Sequence, residues 1–161
     1  MHSWGDVQRL RPDLATQAAE LLYAFGVGLA FLGTVRADGG PRLHPICPLF
    51  AEGGLYAFIV PSPKRVDLLR DGRYALHSFP PETNEDAAYL TGVARPAPDS
   101  ALRARLSDQF VSERAALGVK PPPETEQVFA FYVESILLTR TTGHGDPTPV
   151  HTVWRPTASS G

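Results

Sequence analysis

Apolar positions begin with a helical spacing and then switch to the composition of strands. Leu14, Ala18, Leu21, Leu22 and Phe25 recur at three- and four-residue steps, which predicts an amphipathic helix over 12–25. "LAFLGTVR" (29–36) then reads as a strand and runs into "ADGG", whose Asp-Gly pair tolerates the positive φ of a tight hairpin. The return strand is predicted over "RLHPICPLF" (42–50). Its Pro45 and Pro48 cannot donate to a ladder, so this strand must be bulged or lie partly at an edge. "AEGG" turns the chain again into a third strand, "LYAFIV" (55–60).

Beyond it, "KRVDLLRDG" predicts a short helix with Val66 and Leu69 facing inward and Gly72 near its C-terminus. "RYALHSF" (73–79) and "AAYLTGVAR" (87–95) are the fourth and fifth strands, separated by the polar "PPETNE". A second long helix is expected over 100–117 with Leu102, Leu106 and Phe110 on its buried side, followed by the stiff connector "VKPPPETE". "QVFAFYVESILLTRTT" (127–142) is long enough for a strand that bends or bulges, and a last short strand ends at Trp154. The pattern predicts a mainly β fold: a small barrel of six or seven mostly antiparallel strands with inserted helices. One domain is expected over 1–156, with 157–161 a disordered tail.

Composition narrows the function classes. The 161 residues carry a net charge of −2, so no global field draws the chain to nucleic acid or to an anionic membrane, and neither partner is predicted. The single cysteine, Cys47, excludes an intrachain disulfide and multi-cysteine zinc patterns and fits a reducing compartment. The N-terminus lacks a signal-peptide core. The longest apolar run (21–35) contains glycines and falls short of the roughly 20 residues of a bilayer span, so a cytoplasmic location is expected. His44 and Cys47 lie three apart in a strand and so point to opposite faces; no metal site is predicted. His77 could face a groove or solvent, whereas His144, His151 and the Glu82, Glu85, Asp86 group read as solvated loops. No Ser-His-Asp or paired-carboxylate arrangement emerges. No catalytic side chain is assigned, and any chemistry is expected to belong to a cofactor.

One segment points to an anion. In "IVPSPKRVDLL" (59–69), Ser62 suits a helix N-cap and Pro63 the first helical position, so the next helix has a defined start. The free N–H groups and dipole at that start favour negative charge. Lys64 and Arg65 in the first turn are unfavourable there unless an anion is bound. Pairing of the second and third strands would bring Arg42 close to Val60 and Pro61, adding a third cation. The constellation Arg42, Ser62, Lys64 and Arg65 therefore predicts a phosphate site.

These residues also carry a resemblance. The hairpin "FLGTVRADGGPRLHPICPLF", the segment "LYAFIVPSPKRVDLLRDGRYAL", "AYLTGVAR" and the ending "VWRP" resemble the flavin-binding split-barrel proteins related to pyridoxamine 5'-phosphate oxidase. In that family an arginine opens the second strand and a serine-x-lysine follows the third at about the interval between Arg42 and Ser62. The resemblance implies a homodimeric split barrel holding FMN between subunits, its phosphate on Arg42, Ser62, Lys64 and Arg65. It implies that Arg42, Leu43, His44, Ile46 and Cys47, with Phe58, Ile59 and Val60, line the isoalloxazine, and that Trp154 approaches from the partner subunit. It further implies an FMN-dependent oxidoreductase. A flavin carrier or sensor without turnover is the alternative on the same fold, as is a reductase using a deazaflavin coenzyme. Some relatives bind haem, but no axial ligand stands out here. The sequence departs from the oxidase itself: Cys47 replaces a substrate-phosphate lysine, Pro63 replaces the arginine of the phosphate motif, and the tyrosine-arginine-serine substrate motif is missing from "RARLSDQFVSERAALG". Pyridoxamine phosphate is therefore not the expected substrate.

Overall fold

Ser3 opens the first helix in the computed structural model, which describes residues 1–156. The expected tail, 157–161, lies outside the described residues. The Ser3 hydroxyl accepts from the Asp6 backbone N–H at 3.2 Å, and the Asp6 carboxylate accepts from the Ser3 N–H at 2.8 Å. This reciprocal cap fixes α1 (Trp4–Leu10), whose Trp4 and Val7 are buried. Pro12 then begins α2 (Pro12–Leu22), which buries Leu14, Ala15, Ala18, Leu21 and Leu22. The helix stops before Phe25. That side chain, expected inside, is exposed because the chain turns out through Gly26 at φ +80°.

Among the described residues eight strands form one antiparallel sheet: β1 (Ala30–Val35), β2 (Pro41–Ile46), β3 (Leu49–Ala51), β4 (Gly54–Ile59), β5 (Arg73–Ser78), β6 (Ala87–Pro96), β7 (Gln127–Arg140) and β8 (Val150–Trp154). Their order is β2-β1-β5-β6-β7-β4-β3, with β8 added along the second half of β7. The sheet curls into a half-barrel, so the expected β fold is present, with one strand more than the pattern suggested. The extra strand comes from the prolines. The segment expected as a single strand over 42–50 breaks at Cys47-Pro48, where the ladder loses a donor; β2 pairs only with β1, and β3 pairs with β4. Pro41 and Pro45 are tolerated because β2 is the sheet edge.

β7 bends as its length demanded. Thr91 pairs with Ser135 and Gly92 with Val133, which leaves Glu134 as the extra residue of a bulge. Among the described residues two further α-helices follow: α3 (Pro63–Arg70) and α4 (Ser100–Glu113). Asp99 caps α4 by accepting from the Leu102 N–H at 2.9 Å. Its α-helical part ends at Glu113, and a 3-10 turn (Ala115–Leu117) completes the segment expected as one helix. Leu106 is buried as expected, while Phe110 packs half-buried beside Leu49 and Val128.

The core lies between one face of the sheet and the first two helices. Ala30, Leu32, Leu76, Ala88, Leu90 and Val133 point inward and meet Trp4, Leu14 and Leu22. The opposite face carries their alternates. One row across it reads Leu43, Gly33, Ala75, Thr91, Ser135, and the next reads Pro45, Phe31, His77, Tyr89, Leu137, Val153. Phe31 stacks on Phe79 at 4.1 Å on this side. No side chain in the two rows carries a permanent charge. Among the described residues, no helix is long and apolar enough to cross a membrane.

Candidate functional site

The predicted start of α3 is where the sequence placed it, but its chemistry differs. Ser62 is the N-cap with an extended backbone (φ −165°), yet its hydroxyl makes no capping bond and instead donates to the Val60 carbonyl at 2.9 Å. Arg65 and Val66 N–H both bond the Ser62 carbonyl, and Pro63 has no N–H. The donor left at the helix tip is the Lys64 backbone N–H.

The inward face of α3 is also not the expected one. Val66 and Leu69 are 63% and 54% exposed, whereas Asp67 and Leu68 are buried. Asp67 takes the inner position because two partners await it. The Thr34 hydroxyl donates to its Oδ2 at 2.9 Å, and Arg42 Nε donates to the same oxygen at 2.7 Å. Burial alone would push the Asp67 carboxyl up; the hydrogen bonds from Arg42 and Thr34, with the charges of Arg42 and Arg70, outweigh it and hold the carboxyl below its ordinary value. Arg42 therefore reaches α3, but by a route other than the one expected. β2 does not pair with β4; it lies beside β1, where Arg42 sits opposite Thr34, and α3 packs over β1.

Two clefts flank this corner. A cavity of about 190 Å³ is lined by Pro45, Ile46, Cys47, Phe58, Val60, Lys64, Phe110 and Glu126. A wider one of about 490 Å³ is lined by Arg36, Ala37, Asp38, Arg42, Pro63, Val66 and Asp67. Lys64 is half-buried, and loss of water lowers its pKa, partly offset by Glu126 and Cys47. His44 feels both cations: burial, then the charges of Lys64 and Arg42, lower its pKa against a smaller opposing effect of Asp67. Its Nε2 is buried without a hydrogen-bond partner among the described residues. Arg65 turns to the connector before β7, donating from Nη1 to the Thr125 carbonyl at 2.7 Å.

Of the residues predicted to line the ring site, Ile46, Cys47, Phe58 and Val60 meet in the smaller cleft with Lys64. Leu43 points to the other side of β2, 66% exposed on the uncovered sheet face. Ile59 is wholly buried in the core and presents no surface to a ligand. Trp154 pairs across from Ile136, whereas the cleft adjoins the Gln127 end of β7, about 30 Å away along the strand. Its ring is 9% exposed and packs in its own core against His2. The sequence did not single out Thr34, Asp67, Arg103 or Glu126. Arg103 covers the Phe58 ring at 5.1 Å and donates from Nη1 to the Glu126 carbonyl at 2.6 Å, fixing the connector over the cleft. Phe110, already expected on the buried side of α4, meets Phe58 edge-on at 6.0 Å.

With this geometry in hand, solved structures of known proteins share the architecture. A protein from Clostridium acetobutylicum related to general stress protein 26, of the pyridoxinephosphate oxidase family, superposes with a TM-score of 0.62 at 16% identity, covering 87% of this chain and 92% of its own. PhzG from Burkholderia lata 383, in complex with tetrahydrophenazine-1-carboxylic acid, gives 0.60 at 15% identity over 89% and 91%. The chain has the pyridoxamine 5'-phosphate oxidase-like split-barrel fold. A heme binding protein from Mycobacterium smegmatis has it too, with a TM-score of 0.62 and 16% identity; the match covers 84% of this chain but 56% of that protein. At these identities the likeness concerns the split barrel itself and not its ligands. No family model and no curated protein sequence matches the chain.

Proposed function

We propose that this split barrel binds FMN at the tip of α3 and acts as a homodimeric FMN-dependent oxidoreductase. The observation that carries the proposal is an uncapped helix start flanked by Arg42 in one cleft and Lys64 in the next, both charges acting on His44, with the Lys64 cleft walled by Ile46, Phe58 and Phe110. The residues present fit the cofactor. A phosphate would take the Lys64 backbone donor and the two cations, and an isoalloxazine would take the aromatic and aliphatic wall. The Asp67 charge is offset by its ion pair with Arg42, so the net positive charge at the helix tip comes from Lys64, while Arg42 contributes hydrogen-bond donors. When bound, the flavin supplies the hydride chemistry. The chain's own residues hold its phosphate, flank its ring and exclude water from one side. The test is an absorption spectrum of the purified protein followed by a fluorescence-quenching titration with FMN. Flavin bands, or saturable quenching, are expected; a colourless protein that leaves FMN fluorescence unchanged would end the proposal.

The homodimer in this proposal is supported by cleft size and by the bare sheet face. The cleft proposed for the ring, about 190 Å³, is less than the roughly 300 Å³ at which small-molecule sites begin, so a partner surface would complete the ring pocket. Pro45 belongs both to that cleft and to the uncharged rows running from Leu43 to Val153. A second copy docked on those rows would bury an apolar surface and close the cleft together. Ala75→Arg places a charge in the middle of the face without touching the core. Analytical ultracentrifugation should find the parent dimeric and this variant monomeric, with weaker FMN retention; a dimeric variant would show that the interface lies elsewhere.

A further inference from the structure

We propose that Asp67 is a positioning residue that aims Arg42 at the phosphate of the bound nucleotide, a proposal that rests on the FMN reading above. Arg42 meets Asp67 through Nε alone, at 2.7 Å, and the two terminal nitrogens of its guanidinium have no partner among the described residues. A pair serving only to clamp α3 to the sheet would be best made two-pronged, with both carboxylate oxygens engaged by the fork. Here one oxygen, Oδ2, takes both Thr34 and Arg42. The carboxylate is buried, with 6% of its side chain exposed, while Arg42 keeps 28% of its side chain exposed and lines the wider cleft next to Pro63 at the helix tip.

The arrangement is a relay from the β1 hydroxyl through a buried carboxylate to a guanidinium whose remaining edge is free. Such an anchored fork is set in place before a ligand arrives, so less side-chain freedom is lost on binding. The bidentate geometry of its Nη edge suits a phosphate monoester. Asp67 touches no ligand in this scheme and acts only through Arg42.

The test compares FMN with riboflavin, which has the same ring and ribityl chain but no phosphate. Fluorescence-quenching titrations of the parent protein, Asp67→Asn, Arg42→Ala and the double variant are expected to separate the two ligands. Asp67→Asn should weaken FMN about tenfold and riboflavin less than twofold. The double variant should bind FMN no worse than Arg42→Ala alone, because the carboxylate has no other route to the phosphate. Equal losses for both ligands, or additive losses in the double variant, would overturn the proposal and leave Asp67 a structural clamp. A parent protein that binds FMN no better than riboflavin would overturn the phosphate site itself, a different result from either of those. Should Asp67→Asn fail to fold, Thr34→Val removes one bond from the same oxygen, and the FMN-to-riboflavin ratio decides in the same way.

Discussion

Gly92→Ala is expected to lower the melting temperature by about 8–16 °C, corresponding to a loss of about 4 kcal/mol. A β-carbon at this position would lie 1.8 Å from the Tyr132 carbonyl oxygen and 3.1 Å from the Tyr74 ring. The obstacle is backbone in the neighbouring strand, at the point where the β6–β7 register shifts, so no side-chain rotation relieves it. Either the bulge opens or the two strands separate, and β6–β7 is the longest pairing in the sheet. Gly39→Ala is the matched control. Its site is open to solvent but has φ +83°, so only the backbone preference is lost, about 1–2 kcal/mol. Thermal melts followed by circular dichroism should rank the two far apart; similar shifts would mean that the β6–β7 crossing is more yielding than its geometry implies.

The largest functional effect is expected from Lys64→Glu, which should weaken FMN binding by at least about a hundredfold. The substitution removes a charge-assisted contact, about 1.5–3 kcal/mol, and adds a carboxylate beside Glu126 that repels the phosphate. Arg65→Ala should cost much less, because its guanidinium is already occupied by the Thr125 carbonyl. The lysine also gives retention a pH signature. Burial lowers the Lys64 pKa in the free protein, so its cation is lost at a lower pH than that of an ordinary lysine, near 10.4. FMN affinity should therefore begin to fall below that point as pH rises. Lys64→Arg keeps its charge there and should flatten the alkaline limb. An alkaline limb of the same shape in both proteins would remove Lys64 from the phosphate site.

Much of this site was legible because its signals are local. Ser62-Pro63 marked the start of α3 to the residue, and Asp38-Gly39 marked the hairpin that carries Arg42. Which face of α3 turns inward was not legible. Val66, Leu68 and Leu69 are all apolar, and eight residues are too few for a period to choose among them. The choice was made by Thr34 and Arg42, which draw Asp67 inside, and those partners lie far away in the chain. The broken second strand was half legible: Pro45 and Pro48 announced trouble, but only the pairing partners reveal that β2 and β3 lie at opposite ends of the sheet order. The missed α1 had a readable cue in Ser3 and Asp6, the two ends of its capping box. Arg103 and Glu126 had none, since they reach the cleft from α4 and from a proline-rich connector.

The strand order also governs when the molecule becomes itself during synthesis. β3 and β4 join the rest of the sheet only through β7, whose first residue is Gln127. A nascent chain that has emerged no further than Glu126 can assemble β2, β1, β5 and β6, but its β3–β4 hairpin has contacts with α1 and α4 and no sheet edge to add to. Completion of the sheet awaits β7, which is made only after β6 and the whole of α4, so late closure is built into the topology.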